Sequence, residues 1–315
     1  MKTKKQYSRI GLDIGDSAIK LAELGFSKDR VELAGFALKP IAQGQEPELK
    51  EVISSPQAVN ISISGASTVV RYIYFPRMSR DELRQSLKFE VQKYIPFPIN
   101  EVNLDCHILR EDAADNKMLV LVAAAKKEAV KQHLKLMQDA GIKVGIVDLD
   151  TLALINAFTF NYSGEDGPGI KDKTVALLNI GASTSNISIL ESFIPVLSRD
   201  IYIAGNAFVQ QVKDVESANK PAAATEHMLS DFAKEIRVSF DFYESQNSFT
   251  VTKIFLSGGG SRLPSLKDML AGLLGIEVEY WDPLKRIKIA DGVDAAQARE
   301  LSGQLAVAVG LALRK

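Results

Sequence analysis

Residues 10–24 read IGLDIGDSAIKLAEL, residues 176–190 read ALLNIGASTSNISIL, and the two align without a gap. Leu12, Ile14, Gly15, Ser17 and Leu24 match Leu178, Ile180, Gly181, Ser183 and Leu190. Each copy runs as a strand into [Asp/Asn]-Ile-Gly-x-Ser and out again as a second strand, which predicts a tight hairpin. The copies lie about half a chain apart, so the repeat marks two homologous halves and not a short-period solenoid.

Outward from the first copy, strands are predicted over 10–14, 18–24 and 30–38. Around the second they fall over 174–179, 184–190 and 194–201, again a three-strand meander. Helices are expected over 206–213, 226–244 and 265–274, with late strands over 253–256 and 277–280. A single helix is expected over 295–313, its apolar stripe including Leu301, Leu305, Ala306 and Val309. Mixed sheets flanked by helices in each half place the chain in the α/β class.

Residues 68–144 read as a small α/β unit of their own. A strand over 68–75 ends at Pro76, and Ser79 with Glu82 offers a capping box to the helix that follows. Leu83, Leu87, Val91 and Tyr94 form that helix's apolar stripe, and Pro96 and Pro98 stop it. A buried strand over 118–124 leads to a second helix lined by Val130, Leu134 and Met137 and ended by Gly141.

Composition excludes several classes. The 315 residues suffice for two domains, and a formal net charge of −1 gives no global case for nucleic acid or an anionic membrane. One cysteine, Cys106, excludes an intrachain disulfide and fits a reducing, cytoplasmic compartment. The basic start MKTKKQYSRI is not followed by an apolar run, so no signal peptide is expected. The longest apolar stretch near the end, LAVAVGLAL, is about half a bilayer span. A membrane link is therefore expected only through a partner.

The chemistry lies in the turns. A Gly-containing hairpin directs backbone N–H groups outward, a concavity that attracts phosphate oxygens. Two such hairpins facing each other would hold a polyphosphate from both sides. Lys20 would add a positive charge, and Asp13 could hold a hydrated divalent cation; the plain alternative for each copy is an ordinary hairpin turn. A third cluster, Gly258, Gly259 and Gly260 in IFLSGGGSRLP, sits between a strand and a helix. It reads either as a wall for a purine or as a flexible connector. Neither GxGxxG nor GxxxxGK[ST] occurs. His107, His133 and His227 lack metal-ligand spacing, and Gly-x-Ser-x-Gly is absent.

These three glycine elements, in this order, resemble the actin, heat-shock-chaperone and sugar-kinase superfamily. IGLDIGDSAIK is similar to its first phosphate loop, LLNIGASTSN to its second, and FLSGGGSRLPSL to its adenosine loop, with VDLDTLALINAF and LAVAVGLALR as the connections between halves. Within the superfamily the stretch RYIYFPRMSRDELRQSLKFEVQKYIPFPINEVNLDCHIL resembles the PilM family of type IV pilus assembly proteins, relatives of FtsA.

The resemblance implies two duplicated RNase H-like halves around a nucleotide cleft. Subdomain 1A would take 1–67, 145–172 and 298–315, 1C would take 68–144, 2A would take 173–205 and 248–297, and 2B would take 206–247. It implies ATP and Mg2+ as ligands, with Asp13, Gly15, Asp16, Ser17, Ala18 and Lys20 in the first loop. Asn179, Gly181, Ala182, Ser183 and Thr184 would form the second, and Gly258, Gly259, Gly260 and Arg262 the third. Lys234 and Arg237, one helix face apart by three residues, would border the base or else belong to a solvated face. Asp150 takes roughly the place of the water-positioning residue, or caps the helix that follows.

Two positions depart from the superfamily pattern. Asn179 stands where the second loop usually begins with Asp, which implies binding with slow turnover. Asp16 stands where small hydroxyl residues or Gly are usual and is expected to point to solvent. The implied role is a cytoplasmic scaffold that binds the N-terminal cytoplasmic tail of a PilN-like membrane protein in a groove between 1A and 1C. The alternatives are an FtsA-like filament protein and a small-molecule kinase, for which Asp150 would be the base.

Overall fold

The computed structural model describes residues 7–28, 30–42, 44–53, 57–164, 169–208, 210 and 223–315. Strands β1 (Tyr7–Ile14), β2 (Ala18–Phe26) and β3 (Val31–Pro40) form an antiparallel meander. β4 (Val59–Ile63) and β8 (Val144–Leu149) add parallel to β1, and β14 (Lys288–Ile289) closes the far edge, in the order β14-β3-β2-β1-β4-β8.

The second half repeats this plan. β9 (Thr174–Ile180), β10 (Ser185–Glu191) and β11 (Ile194–Ile201) form the meander, and β12 (Lys253–Ser257) and β13 (Glu277–Tyr280) add in parallel, in the order β11-β10-β9-β12-β13. β4 and β8 in one half stand where β12 and β13 stand in the other. The duplication read from two hairpins thus extends to five strands of each sheet.

Two helices lie between the sheets. α3 (Asp150–Tyr162) follows β8, and α7 (Ala306–Leu313) closes the chain. Both are apolar around most of their circumference; α7 is buried along nearly its whole length, and α3 turns one partly exposed face with Leu152, Asn156 and Phe160 outward. Their residues join Leu24 and Leu33 of the first sheet and Leu177 and Phe255 of the second in one core. The run LAVAVGLAL is therefore interior packing. The two helices cross at Gly310, where a Cβ would sit 1.8 Å from the Ala153 carbonyl oxygen, so only glycine admits this approach.

The outer faces are covered separately. α2 (Lys127–Asp139) places Met137 against the first sheet, and α4 (Ala223–Glu244) with α5 (Leu266–Leu274) covers the second. A three-stranded antiparallel sheet, β5 (Thr68–Pro76), β7 (Lys117–Lys126) and β6 (Val102–Ala113) in that order, packs on α1 (Arg80–Glu90). The capping box at α1 is formed in full: Ser79 Oγ accepts the Glu82 N–H, and Glu82 accepts the Ser79 N–H at 2.7 Å.

Four expectations need correction. The single helix over 295–313 is broken into α6 (Ala295–Leu301), a tight turn at Ser302–Gln304, and α7, because the freed Gly303 carbonyl accepts the Gly258 N–H at 2.9 Å. Tyr94 is 44% exposed, since the chain tightens to a 3₁₀ turn at Val91–Lys93 and rotates it off the stripe. Leu134 is 40% exposed at the margin of α2, whose buried contact is made by Met137. α4 begins at Ala223 and not at 226, and much of the helix expected over 206–213 lies outside the described residues. Among the described residues, no helix is long and apolar enough to cross a membrane.

Candidate functional site

The two glycine hairpins close identically. Gly15 N–H donates to the Ala18 carbonyl at 3.1 Å, and Gly181 N–H donates to the Thr184 carbonyl at 3.1 Å. Asp16, Ser17 and Ser183 at the tips are exposed, whereas Ala18 is buried; the Asp16 side chain is thus on the solvent side. The next chain turn packs behind the second hairpin: Gly205 N–H donates to Gly181 O at 2.9 Å and Asn206 N–H to Ala182 O at 2.8 Å.

Each hairpin carries a polar pair across its two strands, and here the halves differ. In the first, Asp13 opposes Lys20 and the two form an ion pair of 2.9 Å, both largely enclosed. In the second, Asn179 opposes Asn186, and the row continues to Asp200 on β11 and Ser257 on β12. Ser257 Oγ donates to Asn179 Oδ1 at 3.2 Å, and Asn186 Nδ2 donates to Asp200 Oδ1 at 2.9 Å. A charged pair in one half thus has an amide-and-carboxylate row as its counterpart.

Asp150 opens α3 between these rows. Burial pushes its carboxyl up to about 7, with the charges of Asp200 and then Asp13 acting in the same direction. The Thr151 N–H, donating at 2.7 Å, opposes the shift. Asp13 belongs to the first hairpin and Asp200 to the second-half row, so charges from both halves act on Asp150. Asp150 Oδ1 accepts the adjoining Thr151 N–H, at the start of α3.

The third glycine cluster packs on the second hairpin. Gly258 has φ +88°, and a Cβ there would lie 2.4 Å from the Ile180 carbonyl oxygen, so no other residue fits. Gly260 lies against Ile180, Gly181 and Gly205, and Gly259 is exposed. The remaining sequence candidates bond elsewhere. Arg262 pairs with Glu300 at 2.9 Å, Lys234 with Asp231 at 2.8 Å, and Arg237 donates to the Leu274 carbonyl at the far end of α5. Among the described residues, no three His, Cys, Asp or Glu side chains converge as a metal-ligand set.

Asp200 and the residues beside it were not legible in the sequence. The position opposite Lys20 on β3 is Leu38, an apolar residue, so the internal repeat gives no signal for Asp200. A groove of about 1130 Å³ lies between the three-stranded sheet and the first half, where the resemblance implied one. Leu104, Leu121, Leu149, Phe160 and Leu313 are among its walls, with Asp148 and Arg314 beside them. Asp148 Oδ2 lies 3.0 Å from Arg314 Nε, but it is buried without a hydrogen-bond partner, and burial raises the Asp148 carboxyl.

Two duplicated sheets about a shared cleft define an actin-like fold. The solved structures agree. A protein from Bacteroides thetaiotaomicron, described as having an actin-like ATPase fold and unknown function, matches with TM-score 0.50 at 10% identity, covering 96% of this chain and 95% of its own. Ethanolamine utilization protein EutJ from Carboxydothermus hydrogenoformans matches with TM-score 0.51 at 13% identity, covering 98% and 90%. A PilM–PilN type IV pilus biogenesis complex matches with TM-score 0.83 at 27% identity, covering 97% of this chain and 98% of that one. The family model for type IV pilus assembly protein PilM matches residues 11–315. The chain belongs to that family.

Proposed function

We propose that this protein is an ATP-binding, actin-like scaffold of the type IV pilus platform, or of a related secretion system, that holds the N-terminal cytoplasmic tail of a PilN-like membrane protein. The observation that supports the nucleotide half is the identical closure of the Gly15 and Gly181 hairpins, together with charges from both halves acting on Asp150. The amides of Gly15–Ala18 and of Gly181–Thr184 would take the phosphates. The base would lie against Gly258, Gly259 and Gly260, with Lys234, Arg237 and Arg262 exchanging their present partners to border it.

The residues fit Mg2+ carried in with the phosphates. Asp13, Asp150 and Asp200 crowd negative charge with Lys20 as the cation paired at Asp13, and a divalent ion would relieve that crowding. Without a converged ligand set, Asp13 would hold the ion through water. Asn179 orients a water without supplying charge, which favours slow turnover. Asp150, partly protonated near neutrality, would position the attacking water.

Subdomain 1C would be the inserted unit over 68–144, with the tail in the groove between it and 1A. The groove's volume and apolar walls suit a peptide segment, and the Asp148–Arg314 pair beside them would offer it a polar contact. The protein would then stay cytoplasmic, held at the inner membrane through this partner. Calorimetric titration of a PilN-type tail peptide, with and without MgATP, tests the reading. Binding that changes with nucleotide supports a hinge between halves. Equal affinities remove the switch, and absence of binding removes the partner.

A further inference from the structure

The polar row of the second sheet does not end in the cleft. Asn186 Nδ2 donates to Asp200 Oδ1, and because a carboxylate only accepts, this fixes the amide's orientation. Asn186 Oδ1 then faces away and accepts Ser188 Oγ–H at 3.2 Å. The Ser188 and Ser198 hydroxyls lie 2.9 Å apart, and Ser198 Oγ lies 2.9 Å from the Tyr72 hydroxyl. Ser188 has spent its proton on Asn186, so Ser198 must donate to Ser188 and Tyr72 to Ser198. Every link donates toward Asp200.

The middle of the chain is shielded, while Tyr72, Ser198 and Asp200 at its ends are partly buried. Ser188 is fully buried and Asn186 nearly so. Burial also drives the Tyr72 hydroxyl well above its ordinary pKa, so it remains a donor. Tyr72 belongs to β5, the edge of the three-stranded sheet, whereas the other members belong to β10 and β11. An ion pair between β6 and β10, Arg110 with Glu191, is longer at 3.4 Å and partly exposed. In a low-dielectric interior, aligned donors polarise one another and act as a unit.

We infer that Tyr72 is a positioning residue for the cleft carboxylate Asp200, acting through Ser198, Ser188 and Asn186, so that the inserted three-stranded unit and the cleft share one hydrogen-bond chain. Its consequence for ligand binding rests on the nucleotide reading above; its geometry does not. Movement of the inserted unit, as on filling the adjoining groove, would pull on Asp200 through this chain.

The test uses the full chain without nucleotide. Hydrogen exchange of the Asn186 side-chain amide, followed by NMR, should accelerate about fivefold in Tyr72→Phe and in Ser198→Ala, the equivalent of one hydrogen bond. Ser198→Thr keeps a hydroxyl and should exchange like the parent. Tyr72→Phe combined with Ser198→Ala should exchange no faster than Ser198→Ala alone, since the chain is already cut. A second arm measures MgATP affinity, expected to fall about threefold in Tyr72→Phe while Ser198→Thr keeps it. The inference is overturned if Tyr72→Phe lowers thermal stability but leaves Asn186 exchange unchanged, if Ser198→Thr behaves as Ser198→Ala, or if the two lesions add. Should the parent not bind MgATP at all, the nucleotide reading fails, and the exchange arm still decides the chain.

Discussion

Gly310→Ala adds one methyl where α7 crosses α3, and its cost follows from the geometry. The new Cβ would lie 1.8 Å from the Ala153 carbonyl oxygen and 2.4 Å from its carbon, both main-chain atoms. Restoring ordinary contact at 3.4 Å opens the crossing by about 1.6 Å, the difference between 3.4 and 1.8 Å. Alanine's better helix propensity returns about 1 kcal/mol. Overpacking a core costs about 1–3 kcal/mol where side chains can yield, and here the obstacle is backbone between two buried helices. A net loss of at least about 2 kcal/mol is expected. The assay is urea unfolding followed by fluorescence of Trp281, the lone tryptophan, which is buried in the same core. Gly272→Ala, where nothing lies within 4 Å, is the control and should gain about 0.5–1 kcal/mol. A Gly310→Ala protein within about 0.5 kcal/mol of the parent would refute the sandwiched-helix account.

Other expectations concern the cleft and the groove. The folded pKa of Asp150, raised to about 7, exceeds the unfolded carboxylate value near 4, so the folded state binds the proton more tightly. The stability this contributes is present below about pH 4 and is lost as pH rises through about 7. Asp150→Asn should flatten that decline and stabilise the protein at pH 8 by on the order of 2 kcal/mol, read from urea midpoints across pH; an unchanged profile would contradict the raised Asp150 carboxyl. Lys20→Met leaves Asp13 beside the phosphates without its cation and should weaken ATP binding about tenfold by calorimetry; unaltered affinity would remove Lys20 from the site. Asp148→Asn should weaken tail-peptide binding about fivefold while leaving ATP binding unchanged, and an equal effect on both would mean a general structural lesion.

The hairpins were legible because their information is local: strand alternation, one glycine and one serine suffice to write each turn, and the second copy repeats it. The capping box at Ser79 is local in the same way. What escaped depends on partners far along the chain. The break before α7 exists because Gly258, 45 positions upstream of Gly303, takes its carbonyl. Asp200 had no echo in the first half, where Leu38 occupies the matching row. Asp148, on edge strand β8, and Arg314, just past α7, lie far apart in the chain and meet only in the fold. A mostly buried helix such as α3 also lacks the clear stripe that would have betrayed its neighbours, since most of its circumference is apolar.

The most direct measurement is a glycine-selective 15N spectrum of the intact chain, titrated with a non-hydrolysable ATP analogue and Mg2+. Gly15 and Gly181 N–H resonances should shift together, at one ligand concentration, with Gly258, Gly259 or Gly260 following the same curve. Shifts confined to one hairpin, or none at either, would contradict a phosphate held between the two halves.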